Sequence, residues 1–239
     1  MTIREWEGVA LIIGAGGIGK SISDYLTTTS PKLEVYLCGR NLSNPHCIDL
    51  DLENGHSYNS FENQISRFKK PLRLVINTSG FLHSNHIKPE KRLSHINRSS
   101  IIKNFSINSI APILIAKSIE KFINPKLPFS FASLSARVGS IGDNRLGGWY
   151  SYRASKAAQN QFLKTLSIEW RRKFPLSIVS ILHPGTCNTK LSRPFQSGVP
   201  KGKLFTTEKS SEYLINIISE QNISDTGKFL AWDNTVIPW

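Results

Sequence analysis

The chain has 239 residues, 39% of them hydrophobic, and a formal net charge of +13 at pH 7. That length can bury enough apolar surface to fold without a disulfide or a structural metal, and no pair of its three cysteines has the C-x-x-C spacing of a zinc or redox site. The basic residues are scattered and match no nucleic-acid-binding motif, so we expect no nucleic-acid partner. We find no signal-peptide pattern and no apolar run of membrane-spanning length, and we expect a cytoplasmic protein with reduced thiols and no membrane partner.

Short apolar runs alternate with longer amphipathic ones along the chain. The apolar runs predict strands at residues 9–13, 33–38, 47–50, 72–77, 128–133, 177–182 and 228–232. The amphipathic runs predict helices from the glycines after the first strand to about residue 28, and at 58–69, 100–122, 150–173 and 208–220. This alternation favours one doubly wound α/β domain over residues 1–239, with a parallel sheet between two helical layers.

The longest irregular stretch covers residues 184–203 and contains Pro184, Pro194 and Pro200. It follows a strand of the predicted sheet, so it would lie at the carboxyl ends of the strands, where ligands bind. A surface loop without a role is one interpretation. We favour a lid over a substrate, formed by about residues 184–206, because long loops at this edge are often functional.

A glycine-rich segment joins the first predicted strand to the first predicted helix, which is the position of a dinucleotide-binding turn. It comprises Gly14, Gly16, Gly17, Ile18 and Gly19. Glycines permit a tight turn and a close approach of the backbone to a pyrophosphate, and the following helix N-terminus offers N–H groups. A plain loop could have the same composition, but the position directly after the first strand favours phosphate binding.

The second predicted strand ends at Gly39 and Arg40. Enzymes that use NAD usually place an acidic residue there to bind the ribose 2′-hydroxyl, whereas an arginine can form two hydrogen bonds with a 2′-phosphate. The alternative is an ordinary exposed arginine at a turn. The missing acid and the presence of Arg40 both favour NADP as the cofactor, and a basic chain also favours a phosphorylated dinucleotide.

Tyr152 and Lys156 lie at the start of the helix predicted over residues 150–173. Residues four apart share one helix face, so the ammonium group can lie near the phenol. A neighbouring cation lowers the pKa of a tyrosine from its ordinary value of about 10. The phenol could then exchange a proton near neutral pH, as general acid–base catalysis requires. A tyrosine and a lysine four residues apart also occur by chance. The interpretation therefore depends on the position of this pair, at the start of a helix that follows a strand.

Taken in chain order, these motifs resemble the short-chain dehydrogenase/reductase family. The resemblance covers about residues 8–239, and the segments 135–142, 147–156, 231–233 and 237–239 are most similar to the C-factor-like branch of that family. It depends on the glycine-rich turn, the run Asn77-Thr78-Ser79-Gly80, Asn108, Ser135, Tyr152 with Lys156, and Pro184-Gly185 with Thr189.

The resemblance implies an NADPH-dependent oxidoreductase that transfers hydride between the nicotinamide and a small carbonyl or alcohol substrate. Tyr152 would give its proton to the substrate oxygen, Ser135 would hydrogen-bond that oxygen, and Asn108 would hold a water molecule in a proton relay. Lys156 would bind the nicotinamide ribose and lower the pKa of Tyr152. The other implied cofactor contacts are Asp49 at the adenine, Thr189 at the carboxamide, and Asn77, Gly80, Pro184 and Gly185.

The family also implies a homodimer or homotetramer, with the helices at 100–122 and 150–173 in the interface. Two features depart from the family pattern. Only two residues separate Gly14 from Gly17, where the family usually has three. Where the family usually has two serines after the fifth strand, this chain has Ser135-Ala136. The position of the family's catalytic serine corresponds more naturally to Ala136. We expect Ser135 to be the hydrogen-bond donor, with Ser133 and Ser140 as alternatives.

Other functions are compatible with parts of the pattern. A C-factor-like signalling protein could keep the fold and bind the dinucleotide, with turnover secondary, and a sugar-nucleotide epimerase would need a longer chain. His83 and His86 have metal-ligand spacing but no evident third ligand, so we expect no metal. The chain lacks the G-x-S-x-G turn of a serine hydrolase.

Overall fold

Strands and helices alternate along the computed structural model, which describes residues 3–239. The strands are β1 (Gly8–Ile13), β2 (Leu33–Gly39), β3 (Cys47–Asp49), β4 (Leu72–Asn77), β5 (Phe129–Leu134), β6 (Ser177–His183), β7 (Thr186–Cys187), β8 (Leu204–Phe205) and β9 (Phe229–Ala231). The α-helices are α1 (Gly17–Thr29), α2 (Gly55–Ile65), α3 (Arg98–Phe105), α4 (Ala111–Glu120), α5 (Tyr150–Lys173) and α6 (Thr207–Glu220). All seven predicted strands are present.

Seven of these strands form one parallel sheet in the order β3-β2-β1-β4-β5-β6-β9. Strands β1, β4 and β5 are buried along their whole length, which explains why they are continuous apolar runs in the sequence. Separate apolar clusters cover the two faces of the sheet. The predicted doubly wound three-layer fold is therefore confirmed. Within the described residues, no helix is both long and apolar enough to cross a membrane.

The order of the strands reverses between β1 and β4. The chain moves outward from β1 through β2 to β3, and then returns to place β4 on the other side of β1. Connections that diverge in this way leave a crevice at the carboxyl ends of the two central strands, where doubly wound proteins bind ligands. The glycine-rich turn leaves β1 at this edge, and residues 78–80 leave β4 beside it.

Two helices differ from the sequence prediction. Helix α2 begins at Gly55 and not near residue 58, because the Asn54 side chain accepts a hydrogen bond from the His56 N–H and caps the helix. The helix predicted over 100–122 is divided by a π-helical turn at Ser106–Ile110. Pro112, the second residue after this turn, has no N–H to donate to the preceding turn, which accounts for the change in hydrogen bonding.

The stretch predicted as irregular after β6 has local structure of its own. Its ends are joined by β7 and β8, which pair in parallel. A short 3-10 helix, Arg193–Gly198, lies between them. The segment is therefore a closed loop attached at the carboxyl edge of the sheet.

Candidate functional site

The turn after β1 needs glycine at two positions. Gly14 has φ +104°, a conformation that residues with a side chain rarely adopt. A Cβ atom at Gly19 would overlap the carbonyl oxygen of Gly14. The Thr78 hydroxyl, which comes from the end of β4, lies 2.9 Å from the Ile13 carbonyl oxygen and 3.0 Å from that of Gly14. The turn is thus held against the neighbouring strand.

The N-terminus of α1 is open to a ligand. Its N-cap is Gly16, which makes no side-chain cap, and the first turn of the helix contains no acidic residue. A Cβ atom at Gly17 would lie 3.2 Å from the Thr207 methyl carbon and 3.5 Å from that of Thr189, so both threonines border this turn. Uncapped N–H groups at the positive end of a helix dipole fit the pyrophosphate of a dinucleotide.

Arg40 and Asp49 lie at the outer end of the same crevice. Gly39, at the end of β2, packs against the glycine-rich turn: a Cβ atom at Gly39 would lie 3.1 Å from the Cβ of Ala15. Arg40, the next residue, therefore lies beside this turn. Arg40 is exposed, and among residues 3–239 no side chain forms an ion pair with it. Asp49 is also exposed, and its carboxylate accepts a hydrogen bond from the Asn41 N–H at 3.1 Å.

Tyr152 and Lys156 occupy the first turns of α5 and are 8% and 2% exposed. The Lys156 Nζ lies 6.0 Å from the centre of the Tyr152 ring. It donates hydrogen bonds to the Leu134 carbonyl oxygen and to Gln159 Oε1, each at 2.8 Å. The predicted pair is therefore brought together, with the ammonium group directed towards the end of β5.

Burial shifts the pKa of both side chains. It raises the pKa of Tyr152 above its ordinary value and lowers the pKa of Lys156 to about 7, because it disfavours the charged form of each group. The sequence-based expectation was that the cation would lower the pKa of Tyr152. That expectation is wrong for this structure, because burial outweighs the cation 6.0 Å from the ring.

Asn108 lies in the π-helical turn and uses its side chain to fix the loop after β4. Its Oδ1 accepts a hydrogen bond from the Phe81 N–H at 2.7 Å, and its Nδ2 donates to the Phe81 carbonyl oxygen at 2.8 Å. Nδ2 also lies 3.0 Å from the Ser155 hydroxyl on α5. Gly80 is beside it, since a Cβ there would lie 3.8 Å from Asn108 Oδ1 and 4.0 Å from Lys156 Nζ.

The serines near the end of β5 are all buried, and each has a partner. Ser133 is inside the strand and accepts a hydrogen bond from Asn77 Nδ2 at 2.9 Å. Ser135 donates to Asn160 Oδ1 at 2.6 Å, on the second turn of α5 after Tyr152. Ser140 accepts from the Asp143 N–H at 3.1 Å. The structure does not join any of these three hydroxyls to Tyr152 by a hydrogen bond.

An aromatic cluster connects the loop after β6 to the head of α5. Phe195, in the 3-10 helix of the loop, packs edge-on against Trp149 with ring centres 4.9 Å apart and against His83 at 5.6 Å. Trp149 in turn contacts the Tyr152 ring at 6.1 Å. The loop itself begins at Gly185, where φ is +75° and the chain turns away from β6. Pro184 and Gly185 thus lie at the start of this loop.

Some residues of the site had little signal in the sequence. Gln159 and Glu90 are buried polar side chains that no motif marks, and Trp149 and Phe195 look like ordinary apolar residues until the loop is placed. Within residues 3–239, no three histidine, cysteine, aspartate or glutamate side chains are grouped as metal ligands. His83 instead forms a hydrogen bond with the Leu191 carbonyl oxygen at 3.1 Å.

Comparisons with known proteins agree on the family. Residues 8–199 match the sequence profile described as "short chain dehydrogenase". The chain is 26% identical to the C-signal of Myxococcus xanthus over 62% of its own length and 83% of that protein. It is 30% identical to 1-hydroxy-2-glutathionyl-2-methyl-3-butene dehydrogenase of Rhodococcus sp. (strain AD45) over 58% of each protein.

Solved structures show the same fold at low identity. The carbonyl reductase Sniffer of D. melanogaster superposes with a TM-score of 0.84 at 22% identity, covering 98% of this chain and 100% of that one. An NADPH-bound carbonyl reductase from chicken fatty liver has a TM-score of 0.84 at 21% identity, covering 100% and 99%. The profile match over most of the chain, the dehydrogenase relative and the shared fold lead to one conclusion: the chain belongs to the short-chain dehydrogenase family of oxidoreductases.

Proposed function

We propose that the chain is an NADPH-dependent reductase of small carbonyl compounds. The observation that carries this proposal is the geometry at the head of α5, where the buried Tyr152 phenol and the buried Lys156 ammonium group lie together beside the end of β5. A phenol that keeps its proton at neutral pH is a general acid, and a carbonyl oxygen that is being reduced needs a proton. A protonated phenol therefore fits the proton-donating step of carbonyl reduction.

The residues around Tyr152 have proposed roles that follow from their positions. A nicotinamide dinucleotide supplies the hydride when it is bound. Tyr152 donates its proton to the substrate oxygen, with Ser135 as a second donor to the same atom. Lys156 holds the nicotinamide ribose. Asn108 fixes Phe81, and with it Gly80, at the floor of the site through its two hydrogen bonds to the backbone of Phe81.

The proposed cofactor site follows the crevice outward. The N–H groups at Gly16, Gly17, Ile18 and Gly19 would bind the pyrophosphate, Arg40 the 2′-phosphate and Asp49 the adenine amine. Asn77, Gly80, Pro184, Gly185 and Thr189 would line the nicotinamide half. Solved structures of similar fold contain NADPH or NADP, which supports the choice of a phosphorylated dinucleotide.

The loop at 184–206 is the proposed lid of the substrate site. Its Phe195 packs on Trp149, which contacts the Tyr152 ring, so the surface beside the proton donor is aromatic. Such a surface favours an apolar carbonyl compound over a charged one. We also propose a cytoplasmic homo-oligomer with α3, α4 and α5 in its interface.

The test is the consumption of NADPH by the purified chain against a panel of aldehydes and ketones. We expect Tyr152→Phe to lower kcat by about 10²-fold or more, the usual contribution of a general acid, while NADPH still binds. Tyr150→Phe is the matched control, because Tyr150 is on the same helix turn but is 42% exposed. If the wild-type chain reduces no carbonyl compound, the proposed activity is wrong.

The similarity to C-signal supports a second candidate. In that case the chain binds the dinucleotide and acts as a signalling protein, with turnover secondary. Dinucleotide binding without turnover of any member of the panel, in a chain that is folded, would favour this candidate over the reductase.

A further inference from the structure

Two oxygen atoms of the protein accept hydrogen bonds from the ammonium group of Lys156. Lys156 is 2% exposed, and its Nζ donates to the Leu134 carbonyl oxygen and to Gln159 Oε1 at 2.8 Å each. An ammonium group has three donors and no acceptor. Two of the three donors are therefore satisfied by the protein, and one of the two acceptors is a side chain.

Gln159 has one orientation that is compatible with these contacts. Because Lys156 can only donate, the carbonyl oxygen of the Gln159 amide must face it. The Nε2 group then faces the other way, where it lies 2.8 Å from the Ser133 hydroxyl and 3.2 Å from the Leu134 carbonyl oxygen. Ser133 also accepts a hydrogen bond from Asn77 Nδ2 at 2.9 Å. A continuous line of hydrogen bonds thus runs from the end of β4 through β5 to Lys156.

The position of Gln159 is one where an apolar side chain would ordinarily pack. Gln159 is fully buried, and Leu163, one turn further along α5, is an apolar core residue with 0% exposure. Burying an amide is unfavourable unless its hydrogen bonds are replaced. The hydrogen bonds of Gln159 go to Lys156 and to the groups beside it, which points to a role at the lysine.

We propose that Gln159 is a positioning residue that holds the Lys156 ammonium group at the base of the site and favours its charged form, with Ser133 and Asn77 fixing the Gln159 amide. The proposal rests on the proposed reductase function where it concerns turnover. The claim that Gln159 holds the Lys156 ammonium group depends only on the contacts described above.

The charges around Lys156 leave this role to Gln159. Burial is the cause of the lowered Lys156 pKa, and the acceptors in contact with the ammonium group are neutral. Ionisable groups on the surrounding elements include Tyr152 and Arg153 on α5, Glu90 bonded to Ser151, Arg137 paired with Asp143 after β5, Lys103 paired with Glu53 beside α3, His183 at the end of β6 with Asp233 near it, and Lys190 in the following loop.

The first experiment is the pH dependence of kcat/KM for a carbonyl substrate. Activity should fall as the pH rises through the pKa of Lys156, since the neutral amine no longer binds as a cation. Gln159→Leu removes a hydrogen bond to a charged group and should move this fall to lower pH by about one unit. Gln159→Glu supplies an anionic acceptor and should move it to higher pH.

The second experiment needs no turnover. The unfolded chain keeps a lysine of ordinary pKa, so it binds the extra proton between about pH 7 and 10.5, and stability must rise with pH across that range. The difference in Tm between a chain with Lys156 and the same chain with Lys156→Met isolates this rise. Gln159→Leu should make the rise begin at lower pH, and Gln159→Glu should make it begin at higher pH.

Gln161→Leu is the matched control, because Gln161 lies on the same helix, is exposed and lies within hydrogen-bonding distance of Thr165. This variant should shift neither the activity profile nor the Tm profile.

Opposite shifts in the leucine and glutamate variants would support the proposal, whereas a role in packing alone predicts lower Tm with unshifted profiles. Unshifted profiles in both variants would overturn it. If Gln159→Leu does not fold, the proposal is still tested by Gln159→Glu, through the difference in Tm between the chains with Lys156 and with Lys156→Met. If the wild type lacks turnover, the reductase function fails and the Tm comparison still tests Gln159.

Discussion

Arg40 is the residue on which the proposed preference for NADPH over NADH depends. It is exposed at the end of β2, next to the glycine-rich turn, and has no carboxylate partner within residues 3–239. We expect the wild type to bind NADPH more tightly than NADH. Hydrogen bonds to a charged group contribute about 1.5–3 kcal/mol, so Arg40→Ala should weaken NADPH binding about ten- to a hundred-fold and leave NADH binding unchanged.

Fluorescence titration of both cofactors measures this difference. Because the site is exposed, the preference should also shrink as the salt concentration rises. Arg171→Ala, at the far end of α5 and likewise exposed, is the control for a general loss of positive charge. Equal affinity of the wild type for the two cofactors, or a preference that survives in Arg40→Ala, would contradict the assignment.

Ser135 is the proposed second donor to the substrate oxygen, but in this structure its hydroxyl already has another acceptor. Its hydroxyl donates to Asn160 Oδ1 at 2.6 Å, so it must turn away from Asn160 to serve a substrate. If it does, Ser135→Ala should lower kcat by about 10²–10³-fold, as the loss of one oxyanion donor usually does. Full activity in Ser135→Ala with a loss in Ser140→Ala would show that the loop after β5 supplies the donor.

At the scale of elements, the start of α5 depends on a buried contact with the segment before α3. Trp149 precedes the helix with φ 52°, a left-handed conformation, and its N–H donates to the Glu90 carbonyl oxygen at 2.5 Å. The Glu90 carboxylate, 2% exposed, accepts from the N–H of Ser151 at 3.2 Å and also from its hydroxyl. Glu90 thus caps the helix from a distant part of the chain and sets the position of the next residue, Tyr152.

Removing this cap should affect both stability and catalysis. Glu90→Ala leaves the buried N–H of Ser151 without an acceptor, which costs about 1–3 kcal/mol, or roughly 2–4 °C in Tm per kcal/mol for a chain of this size. It should also lower kcat, because the first turn of α5 is less well fixed. Glu90→Gln keeps one acceptor oxygen and should lose less. If Glu90→Ala and Ser151→Ala have additive effects on Tm, the two side chains are not coupled.

The elements that the sequence predicted well are those with a strong local signal. The buried strands β1, β4 and β5 are continuous apolar runs, and the glycine-rich turn follows β1 as expected. Less was predictable where a boundary depends on a single side chain. The cap at Asn54 and the missing N–H of Pro112 moved one helix start and divided another helix.

At the scale of the whole molecule, the site is assembled from contacts that no local pattern encodes. Glu90 and Ser151 are 61 residues apart, and Asn77 and Ser133 are 56 apart. Spacing within one helix predicted that Tyr152 and Lys156 would meet. It could not predict that burial would dominate their pKa values or that Ser135 would bond to Asn160, because both depend on the packing of α5 against the sheet.

The molecule also exposes apolar side chains on the helices predicted to form an interface. Ile102 on α3, Ile110 in the π-helical turn, and Phe162 and Ile168 on α5 are 42–49% exposed, and α3 packs beside α5. Large apolar areas are rarely left in water by monomers. A two-fold dimer would bring the same surface of two copies together, so each side chain would be buried against its counterpart or a neighbour.

If this surface joins two copies in the proposed homo-oligomer, Phe162→Glu combined with Ile168→Glu should convert it to a single chain. Each substitution removes apolar contact area and places like charges near one another across a two-fold axis, which opposes association. Size-exclusion chromatography with light scattering gives the mass of each form, and circular dichroism shows whether the variant stays folded. Val236→Glu is the control, because Val236 is 66% exposed but lies outside these helices, and it should leave the mass unchanged. A wild type that has the mass of one chain at micromolar concentration would show that these exposed residues are not a self-association surface.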